Sequence, residues 1–147
     1  MAKIPGYRQI SGNWGRLWWD GDQVFEVESF ELKATPNREE INQAGLMDVD
    51  SKITSIKCEG SFKVKKVYSR GVEKLLKAWK SGKDPRGQIV AKLDDPDAFG
   101  TERVVIDNVW FNELTLMQFE LGSKLEREFT FGCTISDIDF PDLISAE

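Results

Sequence analysis

Trp14, Trp18 and Trp19 stand within a six-residue stretch, and flat indole faces at that spacing are what a sugar- or base-stacking platform would use. Tryptophans on or beside a hairpin more commonly serve as core and interface residues, so a carbohydrate-binding module is the alternative reading. Asp94, Asp95 and Asp97 crowd one loop, but the spacing does not supply both the Gly at position six and the bidentate Glu at position twelve of a calcium loop. They read as turn carboxylates. Glu102, Asp107 and Glu113 are residue types that a glycosidase pair needs, yet nothing in their spacing sets two of them across a cleft. Cys58 and Cys133 both fall on the apolar parity of strands and read as buried thiols, not as a disulfide or metal ligands. Lys57, Lys63, Lys65 and Lys66 form a short basic strip that reads as a solvated strand face.

The sequence contains no histidine, which closes Ser-His, Cys-His and His-metal chemistry. Walker loops, dinucleotide glycine fingerprints, zinc spacings and nucleophile elbows are all missing from it. No catalytic, cofactor-binding or metal-ligating residue is therefore assigned, no cofactor is expected, and the chain reads as non-enzymatic. A net charge of −5 argues against a surface built to displace counterions from nucleic-acid phosphates. No apolar run approaches the roughly 18–20 residues of a membrane helix, and Met1 to Arg8 lead into polar residues and glycines instead of an apolar signal core, which reads against general secretory export or a membrane anchor.

The elements that would position these groups are mainly strands, in a single domain of 147 residues. Ile56, Cys58, Phe62 and Val64 alternate with Lys57, Glu59, Ser61, Lys63 and Lys65, with Gly60 in the one gap: a half-buried strand. Residues 70–81 are the one convincing helix, with Ser69 as N-cap and Val72, Leu75, Leu76 and Trp79 on one stripe. Burial of all four at roughly 1.5–3 kcal/mol each would bring on the order of 6–12 kcal/mol before entropy. Gly82 and the turn Asp84-Pro85-Arg86-Gly87 return the chain to a strand over 88–93. Asp20-Gly21 joins a hairpin, and the shift of apolar phase from Phe25/Val27 to Phe30/Leu32 predicts a bulge near Glu28-Ser29. Val104, Ile106 and Trp110 oppose Val105, Val109 and Phe111 on the strand 102–112. Leu114 to Leu121 read as a further paired strand, and Leu125 to Ile135 as the last.

Three segments lack a core face: an N-terminal arm over 1–13, an extended loop over 35–52 and a C-terminal arm over 137–147. Together with strands that are apolar on both faces, they leave more greasy surface than a lone copy can cover, which points to self-association. Trp18, Trp19, Ile41, Leu46, Met47, Val49, Phe140 and Leu143 are the expected interface residues.

Four runs then carry a family resemblance: Ile10-Ser11-Gly12 through Asp20-Gly21; Leu75-Leu76 through Gly82-Lys83-Asp84-Pro85; Leu93-Asp94-Asp95 through Arg103-Val104; and Leu125-Glu126 through Asp137-Ile138-Asp139-Phe140-Pro141. In order and spacing the chain resembles the tail tube proteins of Gram-positive prophages and phage-tail-like bacteriocins, the XkdM family of PBSX-like prophages. The resemblance implies a β-barrel or sandwich with one flanking helix, and six copies closing into rings that stack as the inner tube of a contractile tail. Implied partners are other copies of the chain and the sheath, tape measure and baseplate proteins, with DNA passing through the lumen without specific binding. The implied location is the host bacterial cytoplasm during assembly, then the virion tail or released bacteriocin particle. An acidic balance suits such a conduit, because a negative lumen repels DNA and lets it slide.

Overall fold

The computed structural model describes residues 3–146. Two 3-10 turns, Gly6–Arg8 and Gly12–Trp14, precede β1 (Gly15–Trp19), β2 (Asp22–Gln23), β3 (Val27–Asn42) and β4 (Val49–Lys65). Helix α1 (Val72–Lys80) follows, then β5 (Gly87–Leu93), β6 (Glu102–Glu113), β7 (Glu126–Cys133) and β8 (Ile138–Asp142). All eight strands join one antiparallel sheet in the order β2-β1-β5-β6-β7-β4-β3, with β8 also on β6. The expected mainly β architecture with one flanking helix is present. Among the described residues no helix is long and apolar enough to cross a membrane.

Curvature closes the sheet around its core. Trp19 on β1 and Phe62 on β4 are four strand spacings apart along the sheet, about 19 Å if it were flat, yet their ring centroids lie 6.0 Å apart. Phe111 and Phe129 complete the same cluster at 4.9 and 5.5 Å from Trp19. Two bulges keep the apolar residues on the inside of this curve. One extra residue on β3 between Val27 and Ser29 restores the phase of Phe30 and Leu32, where the sequence predicts it. A second lies on β6, where three steps from Ile106 to Val109 match two on β5 and Asn108 takes a positive φ of 53°. Val104, Ile106 and Val109 are thereby all buried, although their numbering places them on opposite parities. The apparent second apolar face of β6 is in part this change of phase.

The outer face is covered locally as well. A Cβ on Gly132 would lie 2.6 Å from the Trp110 ring, so that indole rests flat on the glycine across from it, with the Arg86 guanidinium 4.8 Å from its centroid. On the inside, Phe131 crosses Gly60 in the same way. Glycine in these two strands makes room for an aromatic neighbour.

Several expectations are corrected by the fold. The helix is capped by Gly71 in the left-handed conformation, not by Ser69, and Trp19 packs against Gly71 too closely to admit a Cβ there. Of its stripe, Leu75 alone is fully buried and Trp79 is 37% exposed, so the helix contributes far less than the four-residue sum. Phe25 points to solvent, while Val24 and Glu26 turn inward. Residues 114–121 form no strand. The C-terminal segment is not a free arm: β8 pairs with β6 through Ile138, Asp139 and Asp142. The N-terminal segment is tethered, since the Ser11 N–H donates to Asp95 Oδ2 at 2.9 Å and Arg8 Nη1 to the Asp97 carbonyl at 3.2 Å. Residues 1, 2 and 147 of the two expected arms lie outside the described residues.

Candidate assembly surfaces

Residues 35–52 are largely regular. Apart from the tip at 43–48, they belong to β3 and β4, which pair from Val27↔Val64 out to Asn42↔Val49. Sequence reasoning misses this ribbon because no face of it alternates cleanly; Arg38, Glu39, Glu40, Asp50 and Lys52 break the pattern. Backbone pairing, which is indifferent to side-chain type, holds it together.

Register identifies which side of the ribbon is which. Phe62 faces Phe30, Gly60 faces Leu32, and Cys58 faces Ala34 on the inner side of the sheet. The next pair on that side is Ile56 with Pro36. A bulge between Asn37 and Arg38 accommodates Thr54 as the extra residue, so Ile53, Ser51 and Val49 share the face of Ile56 despite the odd step from 56 to 53. The inner apolar face of β4 thus runs on beyond the barrel. There Ile56, Ile53 and Val49 are 41, 43 and 61% exposed, because among the described residues no third strand pairs with the ribbon at that level. An isolated two-stranded ribbon is at best marginally stable in water.

The expected interface residues divide accordingly. Leu46 and Met47 are exposed at the tip and Val49 belongs to the inner stripe. Ile41 is exposed on the opposite face, across from Asp50. Phe140 and Leu143 are exposed at the C-terminal end. Trp18 is half-buried, and Trp19 is 7% exposed inside the aromatic cluster. With Trp19 in the core, the three tryptophans form no platform, and the carbohydrate reading loses its basis. Ile53 and Ile56 were absent from the expected set; their odd spacing conceals the stripe until the bulge is seen. Also absent was the segment after β6, where Leu116, Met117, Phe119 and Leu121 are all exposed.

Among the described residues no catalytic constellation emerges. The carboxylates of the aspartate loop are engaged by the protein itself: Asp95 Oδ1 accepts from the Asp97 N–H at 2.9 Å and Asp94 Oδ1 from Thr101 Oγ1 at 2.8 Å. The Thr101 bond, against some desolvation and with help from Lys92, holds Asp94 below the usual carboxylate range. Among the described residues no group of His, Cys, Asp or Glu is arranged to hold a metal ion. An open cleft of about 490 Å³ beside α1 is lined by Trp19, Asp20, Asp22, Arg70, Lys74 and Lys77 among others, and two of its cations are already paired. Lys74 pairs with Asp20 at 2.6 Å and Arg70 with the buried Glu26. Cys58 and Cys133 are free, buried and directly opposite each other on β4 and β7, and burial together with the neighbouring thiol pushes Cys133 up to about 11, which leaves a protonated, unreactive core thiol.

A profile of the family described as phage tail tube protein matches residues 2–142. The chain belongs to that family. Its relatives include the phage-like element PBSX protein XkdM of Bacillus subtilis (strain 168), 33% identical over 144 residues that make up 97% of each chain. The uncharacterized protein YqbM of the same organism is 32% identical over 145 residues, again 97% of each. Solved structures extend the likeness of fold. A chain of the PVC sheath-tube complex of an extracellular contractile injection system, in its extended state, superposes with a TM-score of 0.64 at 12% identity, covering 96% of this chain and 93% of that one. The tube terminating cap of the anti-feeding prophage gives 0.69 at 12% identity, covering 97% and 93%. The tail tube family is structural, not enzymatic, and the role of this chain is that of a tail tube structural protein.

Proposed function

We propose that copies of this chain close into six-membered rings, and that the rings stack into the inner tube of a contractile tail. The observation that carries this reading is the inner face of β4 continuing outward as the exposed Ile56, Ile53 and Val49. A face that is core in one half of a strand and solvent-exposed in the other half calls for a second chain to complete it. The outer edge of β3, free of partners beyond β4 among the described residues, offers backbone groups for the same purpose. Membership of the tail tube family and the fold shared with a sheath-tube complex support the ring and tube geometry. Sheath, tape measure and baseplate proteins are the partners in this reading. The tube serves DNA passage in a phage or envelope perforation in a bacteriocin, and the net charge of −5 favours transit of DNA without adhesion. Assembly takes place in the bacterial cytoplasm and the product leaves in the particle.

Negative-stain electron microscopy of concentrated protein, paired with mass measurement in solution, tests this. Rings of six and tubes built from them are expected. A protein that stays monomeric at every concentration would remove the reading.

A further inference from the structure

We infer that the seat for the ribbon's inner stripe is the segment 114–121 of the next copy, so that ribbon and loop form one head-to-tail contact. This inference rests on the tube reading and names the partner of its exposed stripe. Strand β4 sets the geometry: it runs 17 residues, on the order of 50 Å, from Val49 at the ribbon end to Lys65. At the far end Lys65 pairs with Glu126 and the Lys66 N–H donates to the Leu125 carbonyl at 2.9 Å. The loop between β6 and β7 therefore closes over the end of the molecule opposite to the ribbon. One chain carries two uncovered apolar groups at the two ends of one axis, and a second copy displaced along that axis brings one onto the other.

The loop is held in place, although it has no strand pairing. Arg127 lies on the inward parity of β7, buried, and its guanidinium donates to the Gln118 carbonyl at 2.7 Å and to the Glu126 carbonyl at 2.9 Å. It makes no ion pair among the described residues. A buried cation devoted to backbone carbonyls fixes the course of the segment while Leu116, Met117, Phe119 and Leu121 face solvent. The stripe face carries one charge of each sign, Arg38 beside Ile53 and Glu40 beside Ser51; Arg38 is the one that Glu120, standing among the loop's apolar residues, can pair with, and neither Arg38 nor Glu120 has an ion-pair partner among the described residues. Two unlike patches at opposite ends make a heterologous contact, which extends without closing.

Disulfide trapping tests the inference with the full chain under mild oxidation. I53C and M117C placed together in one chain should give a covalent ladder on denaturing gels, and the two single variants mixed should give a covalent dimer, while either single variant alone should give neither. The variant F119E, at a position exposed in the free subunit, should keep the wild-type circular dichroism spectrum and raise the concentration needed for tubes by roughly tenfold or more. Tubes that form normally from F119E and yield no mixed cross-link would overturn the ribbon-to-loop contact and leave the tube reading standing. A covalent dimer from I53C alone would replace it with a ribbon-to-ribbon contact. Failure of the wild-type chain to assemble would overturn both readings.

Discussion

Glu26 sits where β2 runs into β3, with its carboxylate turned inward against the guanidinium of Arg70, which donates through Nε to Oε1 and through Nη2 to Oε2 at 3.1 Å. Burial opposes the charge on Glu26, but the Arg70 hydrogen bond, its own backbone N–H and the Arg70 charge together hold it below the ordinary value of 4.5. The folded chain thus binds this proton more weakly than the unfolded chain. The pair's contribution is fully present above that ordinary value and is lost as pH falls through the lowered native value. Replacing Arg70 by Met should cost about 2–3 kcal/mol in urea titrations at pH 7, because a buried carboxylate loses its partner. It should also flatten the acid side of the stability profile; an unchanged acid limb would show that Glu26 is not the titrating group. Gly60 makes a second expectation at this scale. A Cβ there would meet the Glu31 carbonyl and the Phe131 ring at 2.5 Å each, and a strand carbonyl cannot retreat, so Gly60→Ala should destabilise by about 1–3 kcal/mol in the same assay.

Helix α1 and the ribbon are the two elements whose sequence pattern and structural role diverge. The stripe of α1 is regular, yet only Leu75 enters the core. Leu75→Ala should therefore cost about 2–4 kcal/mol, whereas Trp79→Ala should stay within about 1 kcal/mol; equal losses would mean that the helix packs along its whole stripe. For the ribbon, Thr35 and Lys57 are paired residues, so a two-residue Asn-Gly turn can join them and delete everything beyond. The shortened chain should unfold at nearly the wild-type temperature by circular dichroism, because the deleted residues are mostly exposed. It should form no tubes under the microscope, and tubes from this variant would take the ribbon out of the interface.

As a whole molecule the chain combines a well-packed aromatic centre with apolar groups at both ends of β4. Trp19, Phe62, Phe111 and Phe129 are in mutual ring contact, while the ribbon tip and the segment 116–121 stand in solvent. Limited proteolysis of dilute protein should begin within 43–48 and 116–124, and both regions should become resistant at concentrations where assemblies form. Cutting that continues unabated in the assembled state would show that neither region lies in a contact.

The core strands, the Asp20-Gly21 turn, the bulge near Glu28 and the approximate extent of α1 were legible in the residues, because alternation, turn propensity and helical spacing are local properties, whereas the ribbon over 35–52, the absence of a strand over 114–121 and the pairing of β8 were not. Composition also pointed away from an enzyme, since a chain without histidine or a recognisable motif closes most routes, and membership of a structural family agrees. Family likeness supplied the tube; side-chain periodicity alone supplied only a demand for partners. Tertiary structure decided what depends on neighbours distant in sequence. Asn108 turns Val109 inward, Gly132 makes room for Trp110, and Thr54 puts Ile53 in line with Ile56. In each case one inserted or missing side chain on a strand reverses or fills a face, and only the pairing partner across the sheet reveals which.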